Sequence, residues 1–255
     1  MNDLTVTLLQ SDLTWQDRAA NLARFDAQLD RLTDPTDLII LPEMFTTGFS
    51  MDPVALAEPV GGPTYAWMAD RAARTGAVVT GSLIVTDHGR YYNRLVWMRP
   101  DGTHAAYDKH HLFTPAGEAD HYAAGTARLI VELRGWRVCP LICYDLRFPV
   151  WSRNSAAAAY DLLVYVASWP DRRAHHWRAL LTARAIENQC YVAAVNRVGQ
   201  DANGHQYRGD CGVIDPGAER PVWLPEGKSG ILTEVLAGKA LLDYRRKLPF
   251  LVDGK

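Results

Sequence analysis

Leu4, Val6 and Leu8 alternate with Thr5 and Thr7, the period-two pattern of a strand with one buried face. Thr14-Trp15-Gln16-Asp17 resembles a helix-capping sequence, with Asp17 where Glu or Gln is usual. Leu22, Phe25, Leu29 and Leu32 follow at helical spacing, and Asp34-Pro35 is expected to stop that helix. Leu38-Ile39-Ile40-Leu41 is a short apolar run suited to a strand covered on both faces, ending at Pro42-Glu43.

The cycle then repeats. Gly62-Pro63 opens a helix carrying Tyr65, Met68, Ala69 and Ala72, and Gly76 suits its C-terminal cap. Strands are predicted over Val78 to Val85 and Tyr91 to Met98, joined at His88-Gly89, with a shorter one ending near Tyr107. The long loop from Asp108 to Thr126 has a length that more often serves function than connection. Further strands are expected over Leu129 to Leu133, Trp136 to Ile142, Leu162 to Ala167, Tyr191 to Val195 and Ile231 to Val235. Helices are expected through Ser155 to Tyr160 and from Ala174 to Glu187. Alternating helices and strands, with hairpin-like pairs among them, argue for a layered α/β fold with a mixed sheet. No linker or solenoid repeat interrupts the pattern, so a single domain over residues 1–255 is expected.

Composition narrows the function. Lys plus Arg number 27 against 29 Asp plus Glu, a balance that excludes a strongly basic nucleic-acid or membrane-surface protein. The longest apolar candidate, Ala156 to Ala167, is broken by Asp161 and falls short of a membrane span. The N-terminus, with Asp3 and Asp12, lacks the layout of a signal peptide. Four cysteines, Cys139, Cys143, Cys190 and Cys211, make no disulfide framework in a chain this long, and a reducing, cytoplasmic compartment is expected.

Glu43, the Asp108-Lys109 pair, Cys143 and Ser168-Trp169 each follow an apolar strand, and α/β sheets gather ligands beyond the carboxyl ends of their strands. Singly, Glu43 and Lys109 read as solvated surface charges and Cys143 as an inert buried thiol. Together they make a coherent hydrolase. A free thiol is only a few per cent thiolate near neutrality and needs a base or a nearby cation. Glu43 can take the thiol proton and return it to a leaving amine. Lys109 can favour the thiolate and then the oxyanion, with the backbone N–H of Tyr144 as a second donor. On this reading Lys109→Ala is expected to lower kcat far more than it disturbs folding.

Leu41-Pro42-Glu43-Met44-Phe45, Tyr107 to Phe113 and Leu141 to Pro149, which contains Cys143-Tyr144-Asp145, resemble the three signature segments of the nitrilase (carbon–nitrogen hydrolase) superfamily, in order and spacing. The similarity extends to Ser168-Trp169-Pro170, Ala183 to Gln189 and Asn196 to Gly199, nearly the whole chain. The resemblance implies a four-layer α-β-β-α sandwich, a homodimer formed through a helical face, a Glu43-Lys109-Cys143 triad, and no metal or organic cofactor. It also gives Glu118 the place of a second glutamate, where an exposed loop carboxylate would otherwise be the reading.

Leu41 to Phe49, with Thr46-Thr47-Gly48-Phe49, is most similar to the bacterial omega-amidase branch, which hydrolyses the side-chain amides of 2-oxoglutaramate and 2-oxosuccinamate. Arg147, four positions after Cys143, can clamp a carboxylate, or else form a structural ion pair. Phe113 and Trp169 are expected to wall the pocket, their alternative being plain core. The same triad would also serve N-carbamoyl compounds, other small amides or nitriles, and a catalytically silent binding subunit is the alternative of another class. Cys211 stands where the superfamily usually has serine and reads as a packing residue. The Cys139/Cys143 pair lacks the partners of a zinc site, and the neighbours His110-His111 and His175-His176 read as solvated or supporting side chains. Trp223 to Lys255 carries no feature matched to chemistry and is a candidate to reach a partner subunit.

Overall fold

The computed structural model describes residues 1–155 and 158–253. The helix expected through Ser155 to Tyr160 falls partly on residues 156 and 157, outside the described residues. Two mixed sheets face each other. The first has seven strands, ordered Gly230–Leu236, Leu4–Gln10, Leu38–Ile40, Val78–Asp87, Arg90–Met98 and His104–Asp108, with Glu58–Pro59 also beside Val78–Asp87. The second has six, ordered Val222–Trp223, Gly212–Ile214, Tyr191–Asn196, Leu162–Ala167, Trp136–Ile142 and Val131–Leu133.

The alternation of side chains along each strand decides the layers. Leu38 and Ile40 point into the core between the sheets, with Leu4, Val6, Leu8, Trp97 and Leu141. Ile39 and Leu41 point the other way and join Phe25, Leu29, Tyr65 and Met68 from the helices Arg18–Leu29 and Pro63–Thr75. On the far side, Trp177, Leu181 and Ala185 of the helix Ala174–Asn188 pack against the second sheet. The result is the helix–sheet–sheet–helix sandwich that the resemblance implied. No helix among the described residues is long and apolar enough to cross a membrane.

Local signals were mostly honoured, with four differences. Asp17, not Thr14, caps the first helix by accepting from the Ala20 N–H at 2.9 Å. Thr14 instead exchanges hydrogen bonds with the Asn21 side chain, whose amide also donates to the Thr46 carbonyl at 2.8 Å and so ties this helix to the loop after Glu43. The helix stops at Leu29, before Asp34-Pro35. The expected loop from Asp108 to Thr126 contains two short helical turns, Thr114–Ala116 and Glu118–His121. A further helix, Gly238–Lys247, had no sequence counterpart. It is docked by Arg245, which reaches Asp161 and the carbonyls of Tyr160 and Gln189 at 2.6–2.8 Å.

Direction positions the site. Leu4–Gln10, Leu38–Ile40 and Val78–Asp87 run parallel, and His104–Asp108 runs with them after two antiparallel steps. Trp136–Ile142, Leu162–Ala167 and Tyr191–Asn196 are likewise parallel. In register, Ile142 lies beside Val166 and Ala167 beside Asn196, so Cys143, Ser168 and Arg197 emerge on one edge.

Gly81 shows how tightly the first sheet holds the Glu43 loop. A Cβ there would come within 2.8 Å of the Leu41 Cβ and 2.9 Å of the Phe45 ring. Gly81→Ala is therefore expected to cost about 1–3 kcal/mol, as overpacking usually does, and to lower activity by displacing that loop. Urea unfolding checks it, and an unchanged midpoint would show that the loop yields freely.

Candidate active site

The chain leaves the strand Leu38–Ile40 through a tight loop held against Val78–Asp87. The Leu41 N–H donates to the Thr80 carbonyl at 2.7 Å, Met44 N–H to Ser82 Oγ at 2.9 Å and Phe45 N–H to the Ser82 carbonyl at 3.0 Å. Met44 lies in the left-handed region at φ 43°, and Glu43 is turned inward, fully buried. Lys109 leaves the strand His104–Asp108 on the same side. Its N–H donates to the Asn93 carbonyl at 3.0 Å and its carbonyl accepts from Gly125 at 2.9 Å. Any Cβ at Gly125 would strike the Asp108 carbonyl oxygen, so this closure of the loop requires glycine.

At the meeting point Lys109 Nζ donates to Glu43 Oε1 at 2.8 Å and to both Glu118 oxygens at 2.8 and 3.0 Å. All three side chains are buried. Glu118 also accepts from the Phe113 N–H at 2.5 Å, and Glu43 Oε2 accepts from the Ser168 N–H at 2.8 Å. Asn93 Nδ2 sits between the carboxylates, 2.8 Å from Glu43 and 3.2 Å from Glu118. Burial opposes the Lys109 charge, but Glu118 and Glu43 outweigh it and hold the lysine above its ordinary range. Burial pushes Glu118 up, Lys109 pulls it down, and the Glu43 charge adds to the rise.

This packing changes one expectation. Removing the Lys109 ammonium would strand two buried carboxylates, and breaking such a cluster costs about 3–5 kcal/mol. Lys109→Ala is therefore a folding lesion as well as a change at the site, and the selective loss of kcat expected from sequence does not follow.

Cys143 begins a five-residue 3-10 turn, Cys143–Arg147, and itself has φ 43°. A non-glycine residue held there carries strain of about 1–3 kcal/mol. Buried Asp145 holds the turn. Its carboxylate accepts from the Ile142 N–H at 3.1 Å, the Tyr107 hydroxyl at 2.7 Å and the His111 N–H at 3.0 Å, and pairs with the His111 ring at 2.9 Å. Arg184, from the helix Ala174–Asn188, donates to the Leu146 carbonyl at 2.6 Å. Burial pushes the Cys143 thiol well above its usual range, Glu43 pushes it further, and Lys109 opposes both. The direction of that shift favours the protonated thiol over the thiolate. The Tyr144 N–H lies in the first turn after Cys143, where helical N–H groups lack intrahelical acceptors.

Cys143 opens into a cavity of about 510 Å³ whose lining includes Phe49, Phe113, Tyr144, Arg147, Trp169 and Arg173. The cavity thus gathers Phe113, Arg147 and Trp169 as the sequence suggested. Arg147 lies 4.7 Å over the Trp169 ring, and among the described residues no carboxylate pairs with it, so the structural ion pair is not formed. Phe113 packs against Tyr144 with ring centroids 5.0 Å apart. Glu118 belongs to the buried cluster rather than the surface. Three contributors escaped the sequence reading: Asn93, Asp145 and Arg173. Asn93 carried no sequence signal, since its burial, in the strand paired with the one that precedes Lys109, is seen only in the structure. Asp145 was signalled only by its closeness to Cys143.

His110 stacks on Trp151 at 3.7 Å and His111 on Phe148 at 3.7 Å, and His176 Nδ1 lies 3.1 Å from Arg147, so these histidines support the site. Cys211 is buried against the Asn196 backbone, as a packing residue would be.

The family model for carbon-nitrogen hydrolases matches residues 5–240. The chain is 49% identical to the omega-amidase YafV of Escherichia coli (strain K12), over 98% of this chain and 96% of that protein. It is 34% identical to the 2-oxoglutaramate amidase of Bacillus subtilis (strain 168), with the same two coverages. Among solved structures it is similar to XC1258 from Xanthomonas campestris, a CN-hydrolase superfamily protein with an arsenic adduct in its active site. That TM-score is 0.97 at 45% identity, covering 100% of this chain and 98% of that one.

The four thiols differ in access. Burial pushes Cys139 up to about 12 and raises Cys190 and Cys211 as well, and none of these three lines the cavity. A small thiol reagent added to native protein is expected to modify Cys143 first, with the others following only after unfolding. Mass mapping reads this directly, and uniform labelling of all four would contradict it.

Proposed function

The chain belongs to the carbon–nitrogen hydrolase family, and on that premise we propose that it is an omega-amidase acting on small 2-oxo dicarboxylic acid monoamides. It is a hydrolase of carbon–nitrogen bonds. One observation carries the finer reading: a single cavity holds Cys143, beside the Glu43–Lys109–Glu118 cluster, within the same walls as Arg147, which has no carboxylate partner among the described residues.

In the proposed reaction Glu43 takes the Cys143 proton as sulfur attacks the amide carbon. The carbonyl electrons move onto oxygen, and the oxyanion is held by Lys109 Nζ and the Tyr144 N–H. Glu43 then protonates the nitrogen, the carbon–nitrogen bond breaks, and ammonia leaves a thioester on Cys143. Glu43 next deprotonates a water that attacks the thioester, and collapse of the second tetrahedral intermediate returns the proton to sulfur and releases the acid. Glu118 keeps Lys109 charged and aimed. Arg147 holds the substrate carboxylate at the other end of the cavity, with Phe113 and Trp169 as its walls.

The remaining expectations fit this reading. Residues 1–255 act as one domain. A homodimer would form where Val150 and Ile186 are exposed, on adjoining elements linked by Arg153 donating to the Glu187 carbonyl at 2.9 Å. The four cysteines are free, which suits the cytoplasm.

Ammonia release from 2-oxoglutaramate, 2-oxosuccinamate, an N-carbamoyl amino acid and a simple nitrile tests the substrate class, with Cys143→Ala as blank. Release is expected mainly from the two 2-oxo amides, and preference for another compound would overturn the substrate and keep the triad. Glu118→Gln, which preserves volume and leaves an acceptor for Lys109, is expected to lower kcat by about 10²-fold or more while the protein stays folded. Wild-type kcat in that variant would remove Glu118 from the mechanism.

A further inference from the structure

Besides Arg147, the cavity is lined by Arg172, which is exposed, and by Arg173, which is half-buried. Arg173 ends the short turn Asp171–Arg173, and its guanidinium lies 5.4 Å over the Phe113 ring, as that of Arg147 lies 4.7 Å over Trp169. Its backbone is fixed to the same wall: its carbonyl accepts from the Trp169 indole at 2.8 Å and its N–H donates to the Pro170 carbonyl at 3.0 Å. Among the described residues no carboxylate lies within ion-pairing distance of Arg147 or Arg173. The acids that line the cavity are engaged elsewhere. Asp201 accepts from the Tyr207 hydroxyl at 2.8 Å and the Asn203 and His205 N–H groups at 2.9 Å, and Asp52 caps the turn at Ala55.

Two guanidiniums set in one wall without a counter-ion repel each other, and the charges of Arg172 and Arg147 are felt at Arg173, whose pKa is lowered first by burial and then by those neighbours. Arg147 keeps one neutral partner, His176, whose pKa is lowered by burial and then by His175, Arg147 and Arg173, leaving its Nδ1 able to accept from the guanidinium. An anion between the two guanidiniums would offset that repulsion.

We propose that Arg173 is a specificity-determining residue that acts with Arg147 to hold the 2-oxo-carboxylate end of the substrate and to reject the corresponding 2-amino acid. This rests on the omega-amidase reading and extends it. A 2-oxo acid presents three oxygens and no donor at that end, which matches two planar arrays of N–H donors. A 2-ammonium group in the same place would add another positive charge beside Arg147 and Arg173, which already feel Arg172. The aromatic faces beneath the arginines fix the direction of their N–H edges without supplying a competing anion.

Calorimetric titration of the Cys143→Ala protein, which does not turn over, with 2-oxoglutaramate and with glutamine provides the test. Adding Arg173→Gln is expected to weaken 2-oxoglutaramate at least 10-fold, with Arg173→Lys between the two. In the active enzyme the ratio of kcat/KM for 2-oxoglutaramate to that for glutamine is expected to fall at least 10-fold in Arg173→Gln, chiefly through KM. An unchanged affinity in Arg173→Gln, or no binding of 2-oxoglutaramate to Cys143→Ala, overturns the assignment of Arg173. If Arg173-dependent binding is found but the active enzyme releases no ammonia from 2-oxoglutaramate, the omega-amidase reading fails and the anion-holding role of Arg173 stands. Arg173 is only half-buried, so its variants are expected to fold, and a thermal melt beside the wild type verifies that the comparison is fair.

Discussion

The Lys109 ammonium is buried beyond the reach of water and shared by two carboxylates that arrive from different parts of the chain. Each ion removed from water costs several kcal/mol unless its partners are in place, so the cluster ties the lengths and directions of the elements around it to one another. Glu43 must be turned inward by the Ser82-anchored loop, and the chain between Lys109 and Gly125 must fold back through two short turns to deliver Glu118. The second sheet must bring the Ser168 N–H within 2.8 Å of Glu43. A two-sheet sandwich with its catalytic-side strands running the same way meets these demands, because successive strand ends then open onto one edge.

The same cluster disfavours a thiolate at Cys143 in the absence of substrate. Lys109 already answers to two carboxylates, and its field at Cys143 is outweighed by burial and by Glu43. A thiolate formed in advance would add a further negative charge to a buried group that already carries more carboxylates than cations. In the proposed reaction the charge instead moves in step: as sulfur loses its proton, Glu43 loses its charge, and the negative charge passes to the substrate oxygen. Glu43 is thus the counterweight for the sulfur as much as its base, and Asn93, donating to both carboxylates, keeps the two from being driven apart.

Much of this architecture could be read from periodicity alone. Leu38 to Leu41 announced a strand covered on both faces, and Ile39 and Ile40 do belong to different cores. The placing of Glu43, Lys109 and Cys143 after strands also followed from apolar runs, and the drawing together of all three followed from the topology. What escaped was set by distant polar contacts. Gly238–Lys247 is rich in charge and buries little, and its place comes from Arg245 reaching residues more than fifty positions away. Thr14 looked like a cap because its neighbours fit the pattern, but Asn21 claimed it. Glu118 has no local signature at all, since nothing in Pro115-Ala116-Gly117-Glu118 separates a buried acid from a solvated one. It became visible only through the resemblance to a family.

Two of the eight non-glycine residues with positive φ among the described residues lie at the candidate site. Met44 and Cys143 both adopt φ 43°, one residue after the proposed base and at the proposed nucleophile. Such residues cost about 1–3 kcal/mol apiece and persist only where their surroundings over-determine them. At Met44 the anchors are the Ser82 hydroxyl and carbonyl, and at Cys143 they are Asp145 and Arg184. Ser82 belongs to the strand Val78–Asp87, while Asp145 lies in the Cys143 turn itself and is bonded to Tyr107 of the first sheet. Arg184 comes from the helix Ala174–Asn188, so neither loop can relax without disturbing a different element. Glu43 is thus held through the first sheet, Cys143 through its own turn, Tyr107 and the helix Ala174–Asn188, and the Ser168 N–H bonded to Glu43 sets the spacing between them.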